Sequence, residues 1–231
     1  MGLIPMPRTD LTDADVTSAL GRAVSLIDLI LDVLAEADPL GLRRRLDCVD
    51  IPGTKAWEAK DRAARIRWWV RRVGALDTVL VAFPGVFGVV ADRLPVQDLL
   101  GFTNQAIVLC AVAREYGITD TQTRVRMLAA VLCAREVSDQ AESEPAVQDP
   151  GWSAMSLPRK VWHLAGILNA IGAELGKRPH PKGVFRYLGM LPWLGAVADY
   201  FGEYGALMRA AAAGEAWITL HTNVVGSATG Q

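Results

Sequence analysis

The segment TDADVTSALGRAVSLIDLILDVLAE, residues 12–36, sets the class of fold. Val16, Leu20, Ala23, Ile27, Ile30, Leu31 and Leu34 recur at three- and four-residue intervals, with Asp28, Asp32 and Glu36 between them. That spacing predicts an amphipathic helix with one buried face. Thr12 is a ready N-cap, and Asp13 and Asp15 follow in the first turn, where the positive end of the helix dipole favours acids. Asp38-Pro39 ends the pattern.

The same signals continue outward. After the joint Asp50-Ile51-Pro52-Gly53, Thr54 can cap a long segment through Trp57, Ala64, Trp68 and Trp69 towards Phe83-Pro84. Residues 96–116 are strongly apolar and stop at Gly117, well placed as a C-terminal cap. Thr119 and Asp120 can open a further helix through Val125, Leu128, Ala129, Leu132 and Cys133. From Ser138 to Pro150 periodicity disappears and acids accumulate, as in a loop. Helices follow from about Pro158 to Leu175 and from about Leu194 to His221. No series of alternating strands interrupts them, so the expected fold is all-α, a compact multi-helix bundle with Gly/Pro-interrupted apolar helices. Its expected organisation is an N-terminal helix and joint over 1–50, a helical domain over 51–221 containing the acidic loop at 138–150, and a flexible tail over 222–231.

Composition narrows the functional classes. The 231 residues are 51% hydrophobic, with three Cys, three His and a net charge of −1; the mean hydropathy is +0.22. This excludes a disordered chain and a disulfide scaffold. The longest uncharged run around Phe83, Thr78 to Ala91, falls short of the roughly 20 residues of a spanning helix. Met1 to Thr12 lacks the charged start and apolar core of a secretory signal, so a cytoplasmic location is expected. Cys48, Cys110 and Cys133 lack CxxC spacing and read as buried, inert thiols. His163, His180 and His221 match no zinc spacing, and no nucleophile elbow, P-loop or dinucleotide motif is present, so neither metal nor cofactor is expected.

Near-neutral net charge conceals a strong local imbalance. Residues 1–40 are net −5, residues 41–72 net +6 and the remainder net −2. The basic block holds Arg43, Arg44, Arg45, Lys55, Lys60, Arg62, Arg65, Arg67, Arg71 and Arg72, interleaved with Trp57, Trp68 and Trp69. Two readings fit it. In one, arginines meet anionic headgroups while Trp68 and Trp69 occupy the membrane interface. In the other, the arginines form a solvated helix face and the tryptophans turn into the core. Specific nucleic-acid binding is not expected from one basic block without an RNA-binding signature.

Two apolar elements match one another. Phe83-Pro84-Gly85-Val86-Phe87-Gly88-Val89-Val90-Ala91-Asp92 and Leu191-Pro192-Trp193-Leu194-Gly195-Ala196-Val197-Ala198-Asp199 share Pro followed by Gly-x-Val-Ala-Asp. Pro84, Phe87, Gly88, Pro192, Trp193 and Gly195 mark them as helix breaks or shallow membrane insertions. Asp92 and Asp199 are the catalytic candidates: facing one another across a polar cleft, their repulsion would raise an apparent pKa and permit acid/base chemistry. Their plainer role is capping or contact with Arg93 and Arg209.

Five features occur in a telling order: Ile66-Arg67-Trp68-Trp69-Val70, the Gly/Pro element with Ala91-Asp92, Ala113-Arg114-Glu115-Tyr116-Gly117, the Thr119-Asp120 and Arg124-Val125 helix, and Leu191-Pro192-Trp193-Leu194-Gly195-Ala196-Val197. Together they resemble the EcsC family, from about Asp61 to Ile218 outside the acidic loop. Asp199, Glu203 and Arg209 give a less basic continuation than the family's late helix. The family is named after a protein encoded with the ATPase and membrane subunit of an ABC transporter, so the resemblance implies a membrane-associated helical accessory protein and no defined reaction. The expected function is accordingly non-enzymatic: a membrane-peripheral protein at the inner face of the plasma membrane, engaging an anionic membrane surface or a membrane-protein complex. The alternatives are a protein enclosing a hydrophobic ligand or lipid, and a hydrolase using Asp92 and Asp199.

Overall fold

A computed structural model describes residues 12–36, 51–81, 96–137, 150–175 and 202–228. The described elements are α1 (Asp13–Glu36), α2 (Lys55–Glu58), α3 (Arg62–Val81), α4 (Val96–Glu115), α5 (Thr121–Cys133), α6 (Pro150–Ser153), α7 (Leu157–Leu175) and α8 (Gly202–Ala228). There is no strand among the described residues, and the fold is an all-α bundle. Among the described residues no helix is long and apolar enough to cross a membrane.

Helix α4 is the centre of the bundle. Eight consecutive residues, Ala106 to Ala113, are sealed from solvent, so this helix has no polar side at mid-length. A helix that is apolar all round must be enclosed, and α4 packs against α1, α3, α5, α7 and α8. Helix α1 lays Leu20, Ile27, Ile30 and Leu31 into the same core and packs on α4, α5 and α7. Helix α8 lies close against α4 at Gly214, where an added Cβ would stand 2.7 Å from Leu109 Cδ2. The Ala/Gly composition of α8 thus serves close packing.

The caps explain the boundaries. Thr12 Oγ1 accepts from the Asp15 amide while the Asp15 carboxylate accepts from the Thr12 amide, a reciprocal box at the start of α1. Thr54 Oγ1 accepts from the Trp57 amide at α2, and Asp120 from the Thr123 amide at α5. The single long segment expected after Thr54 is divided into α2 and α3, because Asp61 accepts from the Ala64 amide at 2.6 Å and starts a new helix. Pro150 opens the short α6, which the loop assignment through Pro150 missed. Helix α8 continues to Ala228, so most of the segment read as a tail has helical backbone; no proline interrupts it. The start expected for that helix near Leu194 lies outside the described residues, as does the acidic stretch 138–149.

Helix ends α4 and α5 solve one problem with different residues. At α4, Gly117 adopts φ +75°, the Ile118 amide reaches the Ala113 carbonyl and the Gly117 amide the Arg114 carbonyl, a Schellman arrangement. At α5, Ala134 occupies the left-handed region with φ 49°, where its Cβ is unfavourable. We therefore expect Ala134→Gly to raise, and Gly117→Ala to lower, the free energy of unfolding by about 1 kcal/mol each in urea titrations.

Candidate functional site

The site is built around the last turn of α4, where the buried run gives way to Arg114, Glu115 and Tyr116. Successive helical residues project about 100° apart, so the three side chains reach different neighbours. Arg114 turns to α1, pairing with Asp32 at 2.8 Å and Asp28 at 3.4 Å. Asp28 also accepts from Arg124 of α5 at 2.6 Å, and Arg124 donates in addition to the Thr119 carbonyl. Glu115, whose side chain is 8% exposed, turns to α3 and takes the Trp69 indole N–H at 2.8 Å and Arg65 at 3.4 Å. Tyr116 lies under the Arg62 guanidinium, whose carbon is 4.2 Å from the ring centroid, and donates its hydroxyl to Glu215 of α8 at 3.2 Å.

This junction sorts the basic block. Arg65 and Trp69 anchor α3 on Glu115, and Trp57, Trp68 and Trp69 form a mutual edge-to-face cluster with adjacent centroids 4.9 to 6.4 Å apart. Trp57 and Trp69 are buried; Trp68 is half-buried, with Arg72 over its ring. Arg62, Arg67 and Arg71 are exposed, as is Lys55 on α2. The arginine-tryptophan surface expected from the sequence is therefore divided: two of the three tryptophans are inside, while an arginine strip faces out. Arg67 and Arg71, one turn apart, share one side of α3. Arg62 marks its N-terminal end.

Several expected positions lie outside the described residues: the catalytic candidates Asp92 and Asp199, the apolar-element residues Pro84, Phe87, Gly88, Pro192, Trp193 and Gly195, and Arg43 to Arg45, Cys48 and His180. Cys110 and Cys133 are buried, and burial pushes their thiols up to about 12 and about 11 respectively, away from thiolate chemistry. His163 is exposed beside the edge of Trp152, and His221 stacks on Trp217 with Nδ1 2.7 Å from that residue's carbonyl oxygen. Among the described residues no three His, Cys, Asp or Glu side chains group as a metal site.

Sequence reasoning placed Asp28 and Asp32 between the apolar positions of α1 and gave Glu115, Tyr116 and Glu215 no role at the junction. The available signal was their setting: Arg-Glu-Tyr terminates the most apolar helix, and Glu215 sits among alanines in α8. Charges there must find partners or stay at the rim.

The chain matches no family model, no curated protein and no solved structure.

Two carboxyls at this rim respond oppositely to pH. Burial raises the Glu215 carboxyl, outweighing the Tyr116 hydrogen bond and the Arg62 charge. Hydrogen bonds from Thr123 hold Asp120 below its usual value. For Glu215 the protonated form is the one favoured by folding. Its contribution is complete below the unfolded-state pKa and is lost as pH rises through the folded one. Asp120 contributes above its unfolded-state pKa and loses that contribution as pH falls through its lowered folded value. Glu215→Gln should therefore raise the melting temperature at neutral pH, with the gain shrinking as the buffer is taken down to the ordinary carboxylate range. Asp120→Asn should show its largest deficit at neutral pH, and thermal melts across a pH series check both.

Proposed function

We propose that this chain is a non-catalytic, membrane-peripheral accessory protein that docks on an anionic membrane surface through the basic strip of α2 and α3. The observation that carries this reading is the outward placement of Lys55, Arg62, Arg67 and Arg71 on adjoining elements, with Glu58 and Asp61 the acids among residues 55–72. Each basic side chain near an anionic leaflet contributes on the order of 1 kcal/mol, and Arg pairs bidentately with phosphate. The resemblance to the EcsC family points the same way. Inward-turned Trp57 and Trp69 make this attachment electrostatic, without the tryptophan insertion that the sequence pattern suggested; the α3 face belongs at the headgroups and α4 remains the core.

The prediction is specific in salt and charge. In flotation assays with vesicles of phosphatidylcholine and phosphatidylglycerol at low ionic strength, the protein should rise with the vesicles, and screening by salt at about 1 M should release it. Arg67→Glu/Arg71→Glu should weaken partitioning at least about tenfold, since each change replaces an attractive charge with a repulsive one. Retained folding is checked by far-ultraviolet circular dichroism. Equal binding to neutral vesicles, or binding indifferent to the double substitution, would overturn the reading.

A further inference from the structure

The docking strip has an acid built into its rim. Glu215 reaches the N-terminal end of α3 through Tyr116: its carboxylate accepts the Tyr116 hydroxyl at 3.2 Å, and Arg62 covers the same ring at 4.2 Å. Arg62 thereby stands over the ring that is hydrogen-bonded to a carboxylate from another helix, and its charge acts on that carboxylate. Arg67 lies five residues further along α3, about 7.5 Å of axial rise, and the Debye length is about 10 Å at 0.1 M salt. A change of one charge at Glu215 is therefore felt across the N-terminal half of the strip.

The groups around Glu215 make it the acid at this junction best placed to change. From α4 it meets Tyr116, and from α3 the Arg62 charge. The neighbouring Glu115 is engaged by both Arg65 and Trp69. On α5, the third helix packed against α8, Arg124 is turned to Asp28 on α1 and Arg126 donates to Thr123. On α8 itself, Arg209 and His221 each stand six residues away along the helix. Among the described residues the Glu215 carboxylate thus has one hydrogen bond and no cation in ion-pair contact, in a half-buried position where burial favours the neutral acid.

We propose that Glu215 is a pH-sensitive regulator of the α3 docking strip: its ionised form offsets Arg62, and its protonation raises the positive charge presented to an anionic membrane. This inference rests on the docking reading above and adds a direction, stronger attachment as the pH falls. The step is a simple proton gain. The carboxylate takes a proton from solvent, the Tyr116 hydroxyl keeps its own, and the local net charge rises by one. Nothing in α3 need move, because Glu115 still holds Arg65 and Trp69.

The test is vesicle partitioning by the full chain at about pH 7.5 and at a lower pH, stepped down towards the ordinary carboxylate value. The vesicles are phosphatidylcholine with phosphatidylglycerol, whose phosphodiester charge is fixed over that range. Wild-type partitioning should increase about fivefold on acidification, the effect of one added charge near the surface. Glu215→Gln keeps an acceptor for Tyr116 and should bind at the higher pH as strongly as the wild type does at the lower, with little further rise. His221→Gln, which removes the imidazole from the same helix, should retain the wild-type increase. If Glu215→Gln keeps the full increase, or His221→Gln abolishes it, the regulatory role of Glu215 falls while docking stands. Absence of wild-type binding at both pH values overturns the docking reading, and this inference with it.

Discussion

Eight consecutive residues of α4, Ala106 to Ala113, have no access to solvent, and the rest of the bundle follows from that constraint. A helix satisfies its own backbone polar groups, so it can be enclosed without orphaned donors provided its side chains are apolar. Five helices close around it. Polar chemistry is thereby pushed to its C-terminal turn, where Arg114, Glu115 and Tyr116 leave the axis in three directions and meet α1, α3 and α8. The negative end of the α4 dipole also favours a cation there, which suits Arg114. The same turn that ends the core distributes the contacts fixing its neighbours.

That arrangement divides a basic segment which looks uniform in one dimension. Arg65 and Trp69 are committed to Glu115, and Trp57 and Trp68 complete an aromatic cluster with Trp69. Arg67 and Arg71 project away. Neighbouring inward and outward positions differ by two residues, and on a helix this separates a buried side from an exposed one. Surface attachment through such a strip draws on charge and is sensitive to ionic strength. The tryptophans contribute to how α3 is held on the bundle.

Most helix boundaries were legible because their signals are local. Thr12, Thr54 and Asp120 accept amide hydrogens from residues three positions on, and Gly117 supplies a left-handed residue; each device is complete within one turn. The failures were also local conflicts. Asp61 starts a new helix inside a stretch whose apolar spacing continues, so periodicity ran α2 and α3 together. Ala134 takes a left-handed conformation that alanine does not advertise. The candidate site was legible as a basic, aromatic block but not as a junction. Its partners Glu115, Tyr116 and Glu215 lie 34 or more positions beyond the end of α3.

The amino-acid order was sufficient to establish an all-helical chain, its principal caps, the buried nature of Cys110 and Cys133, and a charge imbalance centred on residues 41–72. These properties depend on spacing within one or a few helical turns, or on composition alone. The pairings of Asp28 with Arg114 and Arg124, of Glu115 with Arg65 and Trp69, and of Glu215 with Tyr116 required the folded arrangement. So did the distinction between arginines turned inward and outward. A charged side chain several carbons long carries no sequence mark of its partner; it pairs with whatever group helix packing brings within hydrogen-bond reach.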